Sequence, residues 1–109
     1  MKLILAIVSN EDSSKVSASL TKARFSVTKL ATTGGFLMAG NTTFLIGVQD
    51  EKVDEVIKII GDHSKKRTQM VPSSSSASYG VGMYSSYPIE VTVGGATIFV
   101  MDVERFEKL

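Results

Sequence analysis

The sequence contains no cysteine and no tryptophan, and it has a single histidine and only two prolines. Without cysteine the chain forms no disulfide and no thiolate-bound zinc site. The one histidine, His63, comes just after a predicted helix, which favours a helix-end residue over a catalytic base. The net charge of +1 gives no general field that would attract nucleic acid or anionic lipid, so neither is expected as a partner.

Charge is also missing from two long segments, Leu30 to Gln49 and Thr68 to Ile89. The first is long enough to span a membrane, but half of it is Thr, Gly, Asn or Gln, so no membrane insertion is predicted. The second is rich in serine, holds all three tyrosines and is too long for an ordinary connection, which predicts a disordered or functional loop. The apolar run from Leu3 to Val8 is too short for a signal peptide and is typical of a strand.

The spacing of apolar residues predicts the order β-α-β-β-α-β with an extra C-terminal hairpin strand. Alternation and β-branched residues predict the strands, and apolar residues three and four apart predict the helices. Gly94-Gly95 predicts a tight hairpin between the last two strands. The predicted strands are 2–9, 25–33, 41–49, 89–93 and 96–101, and the predicted helices are 12–24 and 50–61.

This order is that of an α+β, ferredoxin-like fold in one domain, residues 1–109, with long loops at about 33–41 and 64–88. Both helices of such a fold cover the same face of the sheet. The first strand is nevertheless apolar on both faces, with Leu3, Leu5 and Ile7 on the face that no helix covers. We therefore expect another copy of the chain to cover that face and predict a homo-oligomer.

Little in the sequence points to catalysis. The acidic residues lie mainly on predicted helix faces, where they solvate the surface and balance the helix dipole. Lys65, Lys66 and Arg67 follow the second helix, where they complement its C-terminus or contact a phosphate. We expect no enzymatic activity and no metal site.

The segment TTGGFLMAGN, residues 32–41, joins turn-forming glycines to three large apolar side chains. One interpretation is a hairpin tip whose apolar residues pack under a neighbouring loop. The other is a ligand pocket, in which backbone N–H groups at Gly34 and Gly35 hold an anionic oxygen and Phe36 stacks on a base. The residues alone favour neither interpretation.

Three runs make the whole chain resemble a known family: KLATTGGFL, then AGNTTF with Gly47-Val48, and finally YP-E-V-VGGAT-FV near the end. Together they closely resemble the PII-like cyclic di-AMP receptor proteins of Gram-positive bacteria. The resemblance implies a ferredoxin-like, PII-type homotrimer in the cytoplasm that binds one cyclic di-AMP at each subunit interface. It implies no cofactor besides this ligand.

By matching position, the resemblance also implies the ligand-binding residues and the way in which the signal leaves the protein. The two long loops would change order on binding and act on a downstream partner protein. Val27 would contribute backbone contacts from the strand that holds Thr28. The implied ligand-contacting residues are Val27, Thr28, Gly35, Phe36, Leu37, Asn41, Gly47 and Phe99.

The sequence departs from the family pattern at the rim of the implied pocket. Family members often carry Asn at position 24, Arg at position 26 and a Gln-containing tail, where this chain has Arg24, Ser26 and Lys108. These departures keep a second hypothesis open, a PII-like trimer that binds another adenine nucleotide such as ATP. A third hypothesis is a protein-interaction module in which the Tyr/Ser-rich loop docks a partner without any ligand.

Overall fold

The computed structural model describes residues 1–30, 40–72 and 88–109. A short 3-10 turn, Asp50–Lys52, leads directly into the second helix. The two helices are α1 (Asn10–Lys22) and α2 (Val53–His63). The strands are β1 (Lys2–Ser9), β2 (Thr28–Lys29), β3 (Asn41–Val48), β4 (Arg67–Pro72), β5 (Pro88–Val93) and β6 (Ala96–Asp102).

Four of these strands form an antiparallel sheet in the order β2-β3-β1-β6. The core lies between one face of this sheet and the two helices. The even-numbered residues of β1 and β3 face this core. Each helix adds two buried apolar residues that lie four positions apart, so each strand and each helix presents one apolar side to the core. This antiparallel sheet with two helices fits the predicted ferredoxin-like α+β fold. The fully buried apolar residues among those described are Ile4, Ala6, Val8, Val16, Leu20, Phe44, Ile46, Val56 and Ile60, and Val48 is nearly so.

The end of α1 sets the path of the chain toward β2. The amide of Arg24 donates to the carbonyl of Thr21, and the amide of Phe25 donates to that of Leu20. These two bonds form a Schellman motif, in which the residue in the left-handed region is usually glycine. Here it is Arg24, with φ 70°. Phe25 then packs against the core, and the helix ends at Lys22, two residues before the predicted end.

The predicted C-terminal hairpin is wrong. β6 pairs with β1, whereas β5 pairs with β4 in a separate two-stranded sheet, which we call the β4–β5 arm. Gly94 and Gly95 have φ of 85° and 84°, so they do form a sharp bend. The bend passes the chain from the arm to the edge of β1 and does not fold β5 back on β6, because the free edges of β4 and β1 take up their hydrogen bonds.

Two further predictions need correction. Residues 67–72 lie in the predicted loop 64–88 but form β4, since a strand here depends on its partner β5 more than on the local pattern. Within the described part of the predicted strand 25–33, residues 25–30, only Thr28–Lys29 form a strand, because Phe25 and Val27 turn toward the core before pairing begins. The serine run of the second predicted loop and most of the first loop lie outside the described residues.

Candidate functional site

The face of the four-stranded sheet that the helices leave uncovered, which we call the open face, holds the odd-numbered residues of β1 and β3. Antiparallel neighbours in register lie on the same face. One row across the sheet therefore runs from Thr28 through Leu45 and Leu5 to Phe99. A second row runs from Gly47 through Leu3 to Met101, and the strand residues of β1, β2, β3 and β6 on this face carry no charge.

The open face remains accessible to solvent in the isolated chain. Phe99 is 53% exposed and Met101 is 40% exposed, while Leu3 and Leu5 are half-buried. Thr28 and Asn41 are exposed and offer neutral hydrogen-bond donors and acceptors. An uncharged, largely apolar surface of this kind marks an interaction site for a protein or a ligand.

Four of the eight predicted ligand-binding residues lie on the open face: Thr28, Asn41, Gly47 and Phe99. Val27 does not, because its side chain is half-buried against the core. A contact between Val27 and a ligand on the open face would therefore come from its backbone, which is the role that the sequence predicted. Gly35, Phe36 and Leu37 lie outside the described residues.

Within one chain these four residues are spread widely over the open face. Thr28 and Phe99 are three strands apart, or about 14 Å. Asn41 and Gly47 are six residues apart along β3, or about 20 Å. Gly47 lies beside the methyl group of Met1, which a Cβ at position 47 would approach to 3.3 Å. No two of these four residues are direct cross-strand partners.

A polar cleft lies on the other side of the molecule, between α1, the end of α2 and the start of β4. Its cavity of about 440 Å³ is lined by Glu11, Asp12, Lys15, Asp62, His63, Lys65 and Arg67. Arg67 binds the buried carboxylate of Asp12 with both terminal nitrogens, at 2.8 and 3.3 Å. The hydrogen bond to Asp12 raises the pKa of Arg67 above its ordinary value, so this guanidinium stays charged. Arg67 thus pairs with an acid of this chain, which differs from both predicted roles.

His63 is the last residue of α2 and is exposed, as the sequence predicted. Its Nε2 shares a hydrogen bond of 2.9 Å with the hydroxyl of Ser19 on α1. Sequence reasoning missed this pair, since the two residues are 44 positions apart and neither stands in a recognisable motif. Its open, solvated position is typical of a surface contact between helices.

Neither a metal cluster nor a membrane span is found in the described part of the chain. Over residues 1–30, 40–72 and 88–109, no three His, Asp or Glu side chains are grouped as metal ligands. In the same ranges no helix is long and apolar enough to cross a membrane.

Comparisons with known proteins agree with the resemblance in the sequence. The family model described as "Cyclic-di-AMP receptor" matches residues 1–109. The chain is also similar to a functionally unknown protein from Pediococcus pentosaceus whose crystal structure is known. The two share 40% sequence identity and superpose with a TM-score of 0.75, and the match covers 99% of this chain and 96% of that one. A receptor family is one of binding proteins rather than enzymes. The chain therefore belongs to the cyclic-di-AMP receptor family.

Proposed function

We propose that the protein is a cytoplasmic signal-transduction protein that binds cyclic di-AMP between the subunits of a homotrimer. Binding then reorders the two long loops and thereby controls a partner protein. The observation that carries this proposal is the position of Thr28, Asn41, Gly47 and Phe99 on one uncharged sheet face of a cyclic-di-AMP receptor family member.

The wide spacing of these residues supports a site shared between copies. Thr28 belongs to one edge of the sheet and Phe99 to the other, about 14 Å away. In a closed ring, the β2 edge of one copy faces the β6 edge of the next, so Thr28 and Phe99 from different copies flank one ligand. The same assembly covers the apolar residues of the open face, which otherwise remain in contact with water.

The chemistry of the proposed site suits an adenine dinucleotide. The amide of Asn41 is able to pair with an adenine edge, and the hydroxyl of Thr28 adds a neutral donor or acceptor. Phe36 would stack on an adenine and the Gly34-Gly35 backbone would hold a phosphodiester oxygen, as the sequence predicted. Because the sheet residues of the open face carry no charge, phosphate binding must come from the backbone or from cations outside it, such as Arg24 or Lys29.

Isothermal titration calorimetry of cyclic di-AMP into the purified protein tests the proposal, with cyclic di-GMP and ATP as competitors. We expect selective binding of one cyclic di-AMP per chain and a trimer by light scattering. Binding of ATP alone would replace the proposal with the ATP-binding hypothesis, which Ser26 and Lys108 motivate. Absence of binding by all three nucleotides would overturn the receptor proposal and favour the ligand-independent interaction module.

A further inference from the structure

The first turn of α1 is bonded on both sides to segments that border the two long loops. On one side, the amide of Asn10 donates to the carbonyl oxygen of Gly40 at 2.9 Å, just before β3. The hydroxyl of Thr42, which is 1% exposed, donates to the side-chain oxygen of Asn10 at 2.6 Å. The start of β3 is therefore fixed to the helix through backbone and side chain together.

On the other side, the same turn holds the base of the β4–β5 arm. Asp12 lies two residues after Asn10, is 4% exposed, and accepts both hydrogen bonds from Arg67, the first residue of β4. The Arg67 guanidinium also donates to the Lys65 carbonyl at 3.0 Å. A buried carboxylate that lost this partner would be left with an uncompensated charge, so the pair resists opening.

The arm needs such an anchor more than the rest of the fold does. A two-stranded sheet is only marginally stable by itself, so its orientation depends on what holds its base. Besides the Arg67 contacts, the amide of Gly95 donates to the carbonyl of Ser64 and fixes the bend that follows β5. Each of these contacts lies at the Arg67–Val93 end of the arm, beside the first turn of α1.

We propose that the first turn of α1 couples the β4–β5 arm to the start of β3, so that loosening one of them loosens the other. Asn10 and Asp12 are positioning residues in this device. The physical path is short and continuous. It runs from Gly40 and Thr42 to Asn10, then over two residues of the same helical turn to Asp12, and from Asp12 to Arg67 and β4. This coupling does not depend on which ligand the protein binds, and it is reciprocal by thermodynamic necessity.

Amide exchange followed by NMR, without ligand, tests the coupling in both directions. Thr42→Val removes the hydroxyl bond to Asn10 at nearly constant volume. We expect it to speed exchange in β4, β5 and at Gly95 by about three- to tenfold, the factor expected for one lost hydrogen bond. Arg67→Gln should in turn speed exchange of the Asn10 amide by a similar factor.

Matched controls separate coupling from general destabilisation. Thr43→Val removes a hydroxyl from the neighbouring position on the opposite face of β3, and Arg105→Gln removes an arginine that pairs with Glu107. Neither control should affect the arm, and amides in the centre of β1 report global unfolding in every variant. If Arg67→Gln fails to fold, Arg67→Lys keeps the charge while losing the two-pronged geometry.

Two results would overturn the proposal. In the first, Thr42→Val speeds exchange of the Asn10 amide but leaves amide exchange in β4 and β5 unchanged. The Thr42–Asn10 hydrogen bond would then act only locally. The other is an equal acceleration of the arm by Thr43→Val, which would show a general loss of stability.

Discussion

Thr28 and Phe99 lie in one row across the sheet but at its opposite edges. The row is fixed by register, since Thr28 pairs with Leu45 and Phe99 pairs with Leu5 in the two central strands. Both residues point to the face that the helices leave uncovered. Two residues expected to contact the ligand therefore lie about 14 Å apart within one chain, which supports the proposed site between copies.

Mixing two defective variants tests whether the site is shared. Thr28→Ala and Phe99→Ala should each weaken cyclic di-AMP binding by about tenfold or more. When the two variants are unfolded and refolded together, some interfaces join Thr28 of a Phe99→Ala copy to Phe99 of a Thr28→Ala copy. The site at such an interface contains both native residues. Random assortment in a three-fold ring restores about one site in four, which calorimetry measures as a high-affinity fraction.

Thr97→Ala is the matched control for that experiment, because Thr97 lies on β6 beside Ile7, on the open face but outside the proposed site. Its affinity should equal that of the parent protein. If the mixture contains no high-affinity sites, the shared site is wrong. Either Thr28 and Phe99 of the same copy belong to one site, or neither residue belongs to a ligand site.

Phe36→Ala distinguishes the two interpretations of the glycine-rich segment. If Phe36 stacks on a base, the variant should lose about 10- to 100-fold in cyclic di-AMP affinity while its melting temperature stays nearly constant. If Phe36 is a packing residue, the variant should instead lose about 3–5 kcal/mol of unfolding free energy. Calorimetry and thermal denaturation on the same sample decide between them.

Arg24→Gly should stabilise the protein. Arg24 has φ 70°, and this backbone conformation costs a residue with a Cβ about 1–2 kcal/mol. Glycine removes that strain, but it loses more conformational entropy on folding, which offsets part of the stabilisation. We expect the unfolding free energy to rise by about 0.5 kcal/mol in urea denaturation. Ala23→Gly, one residue earlier at φ −80°, is the control and should lower it. A destabilised Arg24→Gly variant would mean that the side chain makes contacts worth more than the backbone strain.

Gly94→Ala should destabilise the base of the arm. A Cβ at this position would fall on the carbonyl oxygen of Lys65 and within 2.7 Å of the Arg67 guanidinium, at a φ of +85°. We expect a loss of about 1–3 kcal/mol in unfolding free energy. Gly61→Ala is the opposite case, because a Cβ there meets nothing within 4 Å inside α2, and should add about 0.5–1 kcal/mol. Equal effects of the two changes would contradict the geometry of the bend.

Acid should remove one stabilising contact near the N-terminus. The Met1 ammonium binds the Asp50 carboxylate at 2.9 Å, and this hydrogen bond holds the pKa of Asp50 below its ordinary value of 3.8. The contribution is therefore present above pH 3.8 and is lost as the pH falls through the lowered value. Melting temperatures between pH 2 and 6 should fall less steeply for Asp50→Asn than for the parent. Parallel curves would show that the pair contributes nothing.

Several elements could be predicted from local pattern because their apolar residues repeat with one clear period. β1, β3 and both helices were predicted within a few residues, and their core faces follow from positions such as Ile4, Phe44 and Ile60. Strand β5 of the arm was predicted as 89–93, but β4 and its pairing with β5 were not, because the Arg67–Pro72 segment carries no strong strand pattern and becomes a strand only through β5. Gly94-Gly95 correctly predicted a sharp bend but could not show which strands it would separate.

The candidate site was also predictable only in part. The residues of β1 predicted an apolar sheet face that no helix covers, and three sequence runs resembled the cyclic-di-AMP receptor family, to which the chain belongs. Only the tertiary structure decided that Thr28 and Phe99 stand at opposite edges of the sheet and that Asp12 holds Arg67 from 55 residues away. Local sequence fixes which way a side chain points along its own strand or helix. Strand order and long-range pairing depend on how distant segments bury and hydrogen-bond one another.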